Sequence, residues 1–343
     1  DSVQGLRDIV AAVREYGSRI IAHLNHAGRA ANPKAIGGPP EAPSSVTCPT
    51  TGATPEPMTG ERIAQVLEAY GRATQRAREA GFDGVELQLG LGYLPAQFLS
   101  PRTNLRSDEY GHVGADRWRF VRELVAVVRA NAADGLALIA RGSADEKVEG
   151  GLGPHDAIQL AERLQAWDVD AVHVVTGSAC DSPPWYYQHM ALPTGVNERL
   201  AARIHSAVTL PVIVAGRLGE PDRLRRVLEN GMADAIALGR PLVADPDLPR
   251  KIREGRELDI ITCGACLQGC LAKVKEGGPI GCIVNPELGH EIDRPLAAAA
   301  LGERLVVVGG GPAGMEAAVT ARRAGLSVTL LERRGSLGGQ FTL

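Results

Sequence analysis

Long apolar runs are missing from this 343-residue sequence, and so is any excess of one charge. Its apolar stretches are short, the run from Leu296 to Leu301 among them, whereas a membrane-spanning helix needs ~20 such residues. The 37 basic and 40 acidic residues leave a net charge of −3 and are spread without blocks, which excludes a nucleic-acid footprint or an anionic membrane partner. No secretory signal opens the chain, because Asp1 to Tyr16 reads as an amphipathic helix with charges throughout. An initiator Met is also lacking, so a processed chain or a fragment is expected. Aromatic residues are scarce at 4%, yet 44% hydrophobic residues are enough for a sizeable core and more than one domain.

Cysteine is sparse and unevenly placed. Of six, four fall between Cys263 and Cys282, while Cys48 and Cys180 stand alone. A disulfide scaffold calls for a small chain with cysteines throughout it. A local cluster in a large chain predicts instead a metal site in a reducing, cytoplasmic setting.

What is present is a repeating unit: an apolar, β-branched strand, a loop, then an amphipathic helix. Strands are predicted at Arg19–Leu24, Gly84–Leu89, Leu136–Arg141, Ala171–Val175, Pro211–Ala215 and Ala233–Leu238. Helices are predicted at Gly60–Ala80, Arg117–Ala130, Pro154–Trp167, Val196–His205 and Pro221–Glu229, with apolar residues three and four apart, as in Ile63, Val66, Tyr70 and Ala73. Glycine marks helix ends at Gly81 and Gly231. Strands apolar along their length predict a parallel sheet covered on both faces. Six strands do not close an eight-stranded barrel. A chain opening inside a helix predicts a (β/α)₈ barrel lacking its first two strands, with an open doubly wound sheet as the alternative.

Residues 1–260 are thus read as the barrel, 261–293 as a cysteine segment and 294–303 as a small-residue linker. Residues 304–343 are read as the start of a dinucleotide-binding fold. There, Gly309, Gly311 and Gly314 follow a strand and open a helix, and a second strand, Ser327–Leu331, ends at Glu332. That order provides a tight turn, a helix N-terminus for a pyrophosphate and an acid for a ribose hydroxyl. In the cysteine segment, Cys263, Cys266, Cys270 and Cys282 are separated by two, three and eleven residues. Thiolates at this spacing suit either tetrahedral zinc or an iron–sulfur cluster. Their position between a barrel and a dinucleotide fold, where a one-electron relay has a use, favours the cluster.

Several stretches together resemble a known family: His23–Leu–Asn–His26–Ala–Gly28–Arg29, Ala80–Gly–Phe–Asp–Gly–Val–Glu86, Gly92–Tyr93 to Pro101, Asn104 to Gly111 and Asp145 to Gly150. They resemble the Old Yellow Enzyme-like NADH:flavin oxidoreductases that carry a cluster and an ADP-fold domain, the class of 2,4-dienoyl-CoA reductase and trimethylamine dehydrogenase. The resemblance covers essentially the whole chain, and the cysteine spacing looks closer to the dienoyl-CoA reductases. It implies FMN in the barrel, a [4Fe–4S] cluster on Cys263, Cys266, Cys270 and Cys282, FAD or ADP in the C-terminal fold, and NAD(P)H as electron donor. It implies Tyr93 as the acid that protonates substrate carbon, His26 as an active-site residue, and Arg141 facing the flavin N1/C2 oxygen. Phosphate in such barrels is held after the last two strands. Gly216–Arg217 and Gly239–Arg240 stand there, glycine for close backbone approach and arginine for its fork of donors.

The chain also departs from the pattern. His23 stands where the family has a glutamine on the flavin pyrimidine edge. Gln88 and Leu91 stand where two side chains grip a substrate carbonyl; Gln88 can donate one hydrogen bond and Leu91 none. Trp185, Tyr186 and Tyr187, in the loop Cys180–His189, suggest a pocket wall or a quaternary-ammonium cage. The leading expectation is NAD(P)H-dependent reduction of an activated C=C bond in an enone or an enoyl or dienoyl thioester. The alternative is a dehydrogenase or N-demethylase of methylated amines. A small-molecule substrate is expected in either case. A homo-oligomer and, for amine oxidation, an electron-transfer protein complete the expected partners.

Overall fold

The computed structural model describes residues 2–112, 116–133, 135–292 and 302–342. Most of the expected linker lies outside them. The chain divides into a unit spanning 1–268 and another spanning 269–343.

In the first unit a parallel six-stranded sheet runs β1 (Ile21–Leu24), β2 (Gly84–Gln88), β3 (Ala137–Ser143), β4 (Ala171–Val175), β5 (Val212–Ala215) and β6 (Ala235–Ala237). Every strand neighbours the next in sequence. A doubly wound sheet reverses its order at a switch point; this one does not, so the sheet is a curved half-barrel.

Besides a single helical turn at Pro33–Ile36, the α-helices described in this unit are α1 (Ser2–Glu15), α2 (Gly60–Ala80), α3 (Leu94–Leu99), α4 (Arg119–Ala132), α5 (Pro154–Ala166), α6 (Pro183–Tyr187), α7 (Glu198–His205), α8 (Pro221–Glu229), α9 (Arg240–Ala244) and α10 (Leu248–Arg253). The longest, α2, starts where the Thr59 hydroxyl accepts from Arg62 N at 3.1 Å and stops at Gly81, whose φ of 90° a side chain would resist. Its Ile63, Val66, Leu67 and Tyr70 are buried on one face.

Strand pairing sorts the sheet residues by face, because partners in register share a side. Val85, Leu87, Leu138, Ala140, Val172, Val174, Val212 and Val214 point outward and are buried in one core with α2, α4, α5, α7 and α8. His23, Glu86, Gln88, Arg141 and His173 share the inner face. The expectation of strands apolar on both faces is therefore corrected: the inner face carries a polar ladder.

Two local expectations also change. The segment 180–189 contains α6 rather than loop alone, initiated by Pro183 and Pro184 in its first turn. Cys48 and Cys180 do not stand alone; they form a disulfide with Cα atoms 5.2 Å apart. They lie 132 residues apart in sequence, and only the meeting of two rim loops pairs them, so their isolation was no argument for a reducing compartment.

In the second unit, β7 (Arg304–Val308) and β8 (Ser327–Leu331) pair in parallel around α11 (Pro312–Arg323). No helix among the described residues is long and apolar enough to cross a membrane.

Candidate functional site

The loop after β2 turns sharply through Leu91 and Gly92, both at positive φ, and delivers Tyr93 to the N-cap of α3. Tyr93 Oη lies 2.8 Å from Tyr186 Oη, and the two rings meet edge to face at 6.3 Å. Tyr186 rides on α6, which comes close enough to Gly177 that a Cβ there would overlap the Tyr186 backbone. Burial, then the neighbouring Tyr93 and Tyr187, push the Tyr186 phenol well above its ordinary pKa.

The position of α6 is fixed by a rim clamp. Arg29, 1% exposed, is paired with Asp181, which Arg102 also approaches. Arg29 also donates to Thr47 O, and Thr50 Oγ1 to Ala179 O and Cys180 O. The disulfide joins the same two loops. Trp185 is not an open cage wall, because Lys147 Nζ already sits over its ring, 5.0 Å from the centroid.

On the inner face, Glu86 collects two imidazoles. His23 Nδ1 donates to one carboxylate oxygen at 2.8 Å and His173 Nδ1 to the other at 2.7 Å, with Arg141 Nη1 3.9 Å away. Burial opposes ionisation of Glu86, but the two imidazole donors and the Arg141 charge outweigh it and hold its pKa at about 2. Gln88 Nε2 approaches His23 Nε2 at 3.4 Å, and its Oε1 accepts from Gly90 N. Arg141 Nε and His173 Nε2 are buried and have no hydrogen-bond partner among the described residues. The sequence reading gave no role to Glu86 or His173; the signal for His173 was one imidazole in an otherwise apolar strand.

His26 is half-buried near Glu41 and Arg62, with Nδ1 accepting from Gly28 N at 3.1 Å. Burial, helped by Arg62 and opposed by Glu41, lowers its pKa, so the ring is neutral. It shapes the loop after β1.

The two strand-end arginines differ. Arg217, at a φ of 51°, is spent on the carbonyls of His189 and Leu192. Arg240 donates one Nη to Gln188 O at 3.1 Å, and its other Nη is buried with no partner among the described residues. Gly216, at a φ of 124°, and Gly239 hold the backbone beside them.

The four clustered cysteines are free thiols, each half-buried. The unit boundary falls between Cys266 and Cys270. In the second unit, Gly269 lies so near Gly281 that an added Cβ would sit 2.7 Å from Gly281 O, which brings the Cys270 and Cys282 segments together. Among the described residues, no three His, Cys, Asp or Glu side chains are gathered as a metal site.

Farther along, Gly314 packs on Gly309 O with no room for a Cβ, and Gly311 caps α11. Glu332 accepts from Gly310 N at 2.6 Å and Arg334 N at 2.8 Å, which lowers its pKa. The acid at the end of β8 is thereby tied to the glycine turn.

This geometry has counterparts among known proteins. The chain is 37% identical over 342 residues to an NADH oxidase of Thermoanaerobacter brockii, covering 99% of this chain and 52% of the relative. A 2-naphthoyl-CoA reductase structure superposes with a TM-score of 0.91 at 31% identity, covering 98% of this chain and 54% of that one. The histamine dehydrogenase of Rhizobium sp. 4-9 follows at a TM-score of 0.88 and 29% identity, covering 98% and 50%. The chain thus spans about half the length of these relatives. A family described as FAD dependent oxidoreductase matches residues 304–343. The half-barrel itself, residues 1–259, matches the NADH:flavin oxidoreductase / NADH oxidase family, and the chain belongs to that family.

Proposed function

We propose that the protein passes reducing equivalents from NAD(P)H to an activated carbon–carbon double bond, in an enone or an enoyl or dienoyl thioester. FMN, a [4Fe–4S] cluster and FAD or ADP would be its resident groups. The observation that carries the reading is the Tyr93 hydroxyl, a proton source at the C-terminal rim of the barrel, where chemistry in such folds is done. Bound FMN supplies the hydride.

The rim fits FMN because it contains buried polar atoms that lack partners among the described residues: Arg141 Nε, Arg240 Nη1 and Gln188 Oε1. Such atoms are costly to bury unless a ligand satisfies them. His23 and Arg141 would hold the flavin ring, with Glu86 fixing the tautomer of His23. Gly216, Gly239 and Arg240 would hold the phosphate; Arg217 is committed elsewhere. Four unoxidised thiols fit an iron–sulfur cluster in donor chemistry. Gly309, Gly311, Gly314 and Glu332 would receive the dinucleotide. In the reaction Tyr93 gives its proton to the carbon next to the one that receives hydride.

Amine oxidation is favoured by one feature: Leu91, buried, offers no donor where a carbonyl would be gripped, and the Gln88 amide is engaged with Gly90 and His23. Stopped-flow measurement of the two half-reactions of the full-length holoenzyme separates the readings. NAD(P)H-reduced enzyme should be reoxidised by an enoyl thioester, and Tyr93→Phe should slow that step by on the order of 10²–10⁴, leaving flavin reduction fast. No reoxidation by the thioester, together with reduction of the oxidised enzyme by a methylated amine, would overturn the proposal.

A further inference from the structure

If Tyr93 is the substrate acid, its oxygen must carry negative charge once the proton has left, and an isolated phenolate at a half-buried site is unfavourable. One hydroxyl is in place to receive that charge. We infer that Tyr186 is the positioning residue of the proton transfer: its hydroxyl donates to Tyr93 Oη, turns the Tyr93 proton outward toward substrate, and then returns a proton to the Tyr93 phenolate. The inference rests on the reading of Tyr93 given above.

Two geometric observations establish the pair, and burial sets the direction of its hydrogen bond. The Oη–Oη distance of 2.8 Å is that of a good O–H···O bond. The edge-to-face packing of Tyr186 on Tyr93 and, at 4.6 Å, on Tyr187 locks the ring. Burial also makes Tyr186 reluctant to ionise, so it keeps its proton and acts as donor. The charged group that bears on Tyr186 is Arg141, which favours a phenolate, beside the two neighbouring phenols, which oppose it.

The step balances. The Tyr93 O–H bond breaks as the substrate C–H bond forms. The Tyr93 O–H bond is then restored in a concerted shift, in which Tyr186 passes its proton to Tyr93 as it takes one from solvent, so that no Tyr186 phenolate stands alone. No electrons move in the relay.

The signal was faint in the sequence, because Tyr93 and Tyr186 are 93 residues apart and belong to different βα units. The rim clamp explains how the pair is kept. Asp181, Cys180 and Ser182 anchor the start of α6 to three other segments, so the Tyr186 hydroxyl has little freedom to leave its partner.

The test is a double-mutant cycle in the full-length holoenzyme. Tyr186→Phe keeps the ring and removes the hydroxyl, and an unchanged melting temperature confirms intact packing. Reoxidation of reduced flavin by an enoyl thioester should slow about 10- to 10²-fold, the worth of a hydrogen bond to a charged group, with KM unchanged. Tyr93→Phe/Tyr186→Phe should be no slower than Tyr93→Phe alone, because Tyr186 acts only through Tyr93. As a readout independent of turnover, the carbon-13 Cζ resonance of labelled Tyr93 should move in Tyr186→Phe, because its oxygen has lost a hydrogen-bond donor; an unmoved resonance overturns the inferred hydrogen bond. Additive losses in the double variant, or an unchanged rate in Tyr186→Phe, overturn the relay while the acid role of Tyr93 stands. An unchanged rate in Tyr93→Phe removes the acid role and the relay with it.

Discussion

Removing the carboxylate of Glu86 should destabilise the barrel unit more than its single side chain suggests. In Glu86→Gln the volume is kept, but one imidazole N–H now faces an amide N–H instead of an oxygen. The gap between the ordinary carboxyl value of 4.5 and the folded value of about 2 corresponds to ~3 kcal/mol at neutral pH. With only 14% of the side chain exposed, little of this is screened by solvent. Because the folded pKa is depressed, the contribution is fully present above pH ~4.5 and is lost as pH falls toward about 2. Glu86→Gln should therefore cost about 3 kcal/mol at pH 7 and progressively less as pH falls through that window, so the variant and wild-type curves converge in acid. The chain's three tryptophans, Trp118, Trp167 and Trp185, all lie in the first unit, so urea unfolding followed by their emission reports on the barrel. A difference below ~0.5 kcal/mol at pH 7, or a gap that does not narrow in acid, would refute the reasoning.

Three further outcomes are expected. A non-reducing digest should contain the Cys48 peptide linked to the Cys180 peptide. Closing a loop of 132 residues contributes up to ~5 kcal/mol in the chain-entropy account, so Cys48→Ala and reductant treatment should lower the barrel's unfolding midpoint alike; no change with reductant defeats this. Arg240→Ala should weaken FMN retention about 10-fold or more, whereas Arg217→Ala should chiefly loosen the loop at 189–192; equal loss of FMN in both would show that the two arginines were wrongly separated. Cys266→Ser should lower iron content and remove the cluster's broad visible absorption while FMN stays bound. Stoichiometric zinc without iron after anaerobic preparation would rule the cluster out.

What the sequence made legible is what is decided locally. The bounds of α2 and α8 agree with expectation because hydrophobic period and end signals, the Thr59 cap and Gly81 for α2 and the first-turn Pro221 for α8, all act within a few positions. Strand β4 likewise has its expected limits, being an apolar run between turns. The short helices α3 and α6 were missed for a related reason, since six and five residues are too few to display a helical period. The order of the strands, by contrast, needed the structure. Alternating strands and helices are common to barrels and doubly wound sheets, and only pairing distinguishes them.

The inner-face cluster shows why the rest of the site was hidden. Sequence reading gave roles to Gln88 and His23, but none to His173 or to Glu86, although Glu86 ends one of the family stretches. Nothing within either segment distinguishes an acid bound for solvent from one that will be buried. The difference arises when β1, β2 and β4 come into register, because Glu86 then sits opposite His23 and within reach of His173, 63 and 87 residues away. Neither imidazole alone would repay desolvating a carboxylate; two donors and the nearby charge of Arg141 do. A β/α half-barrel with an apolar outer face can therefore keep a polar inner one, and that inner face, two residues below Gln88 on the same strand, sets the orientation of His23.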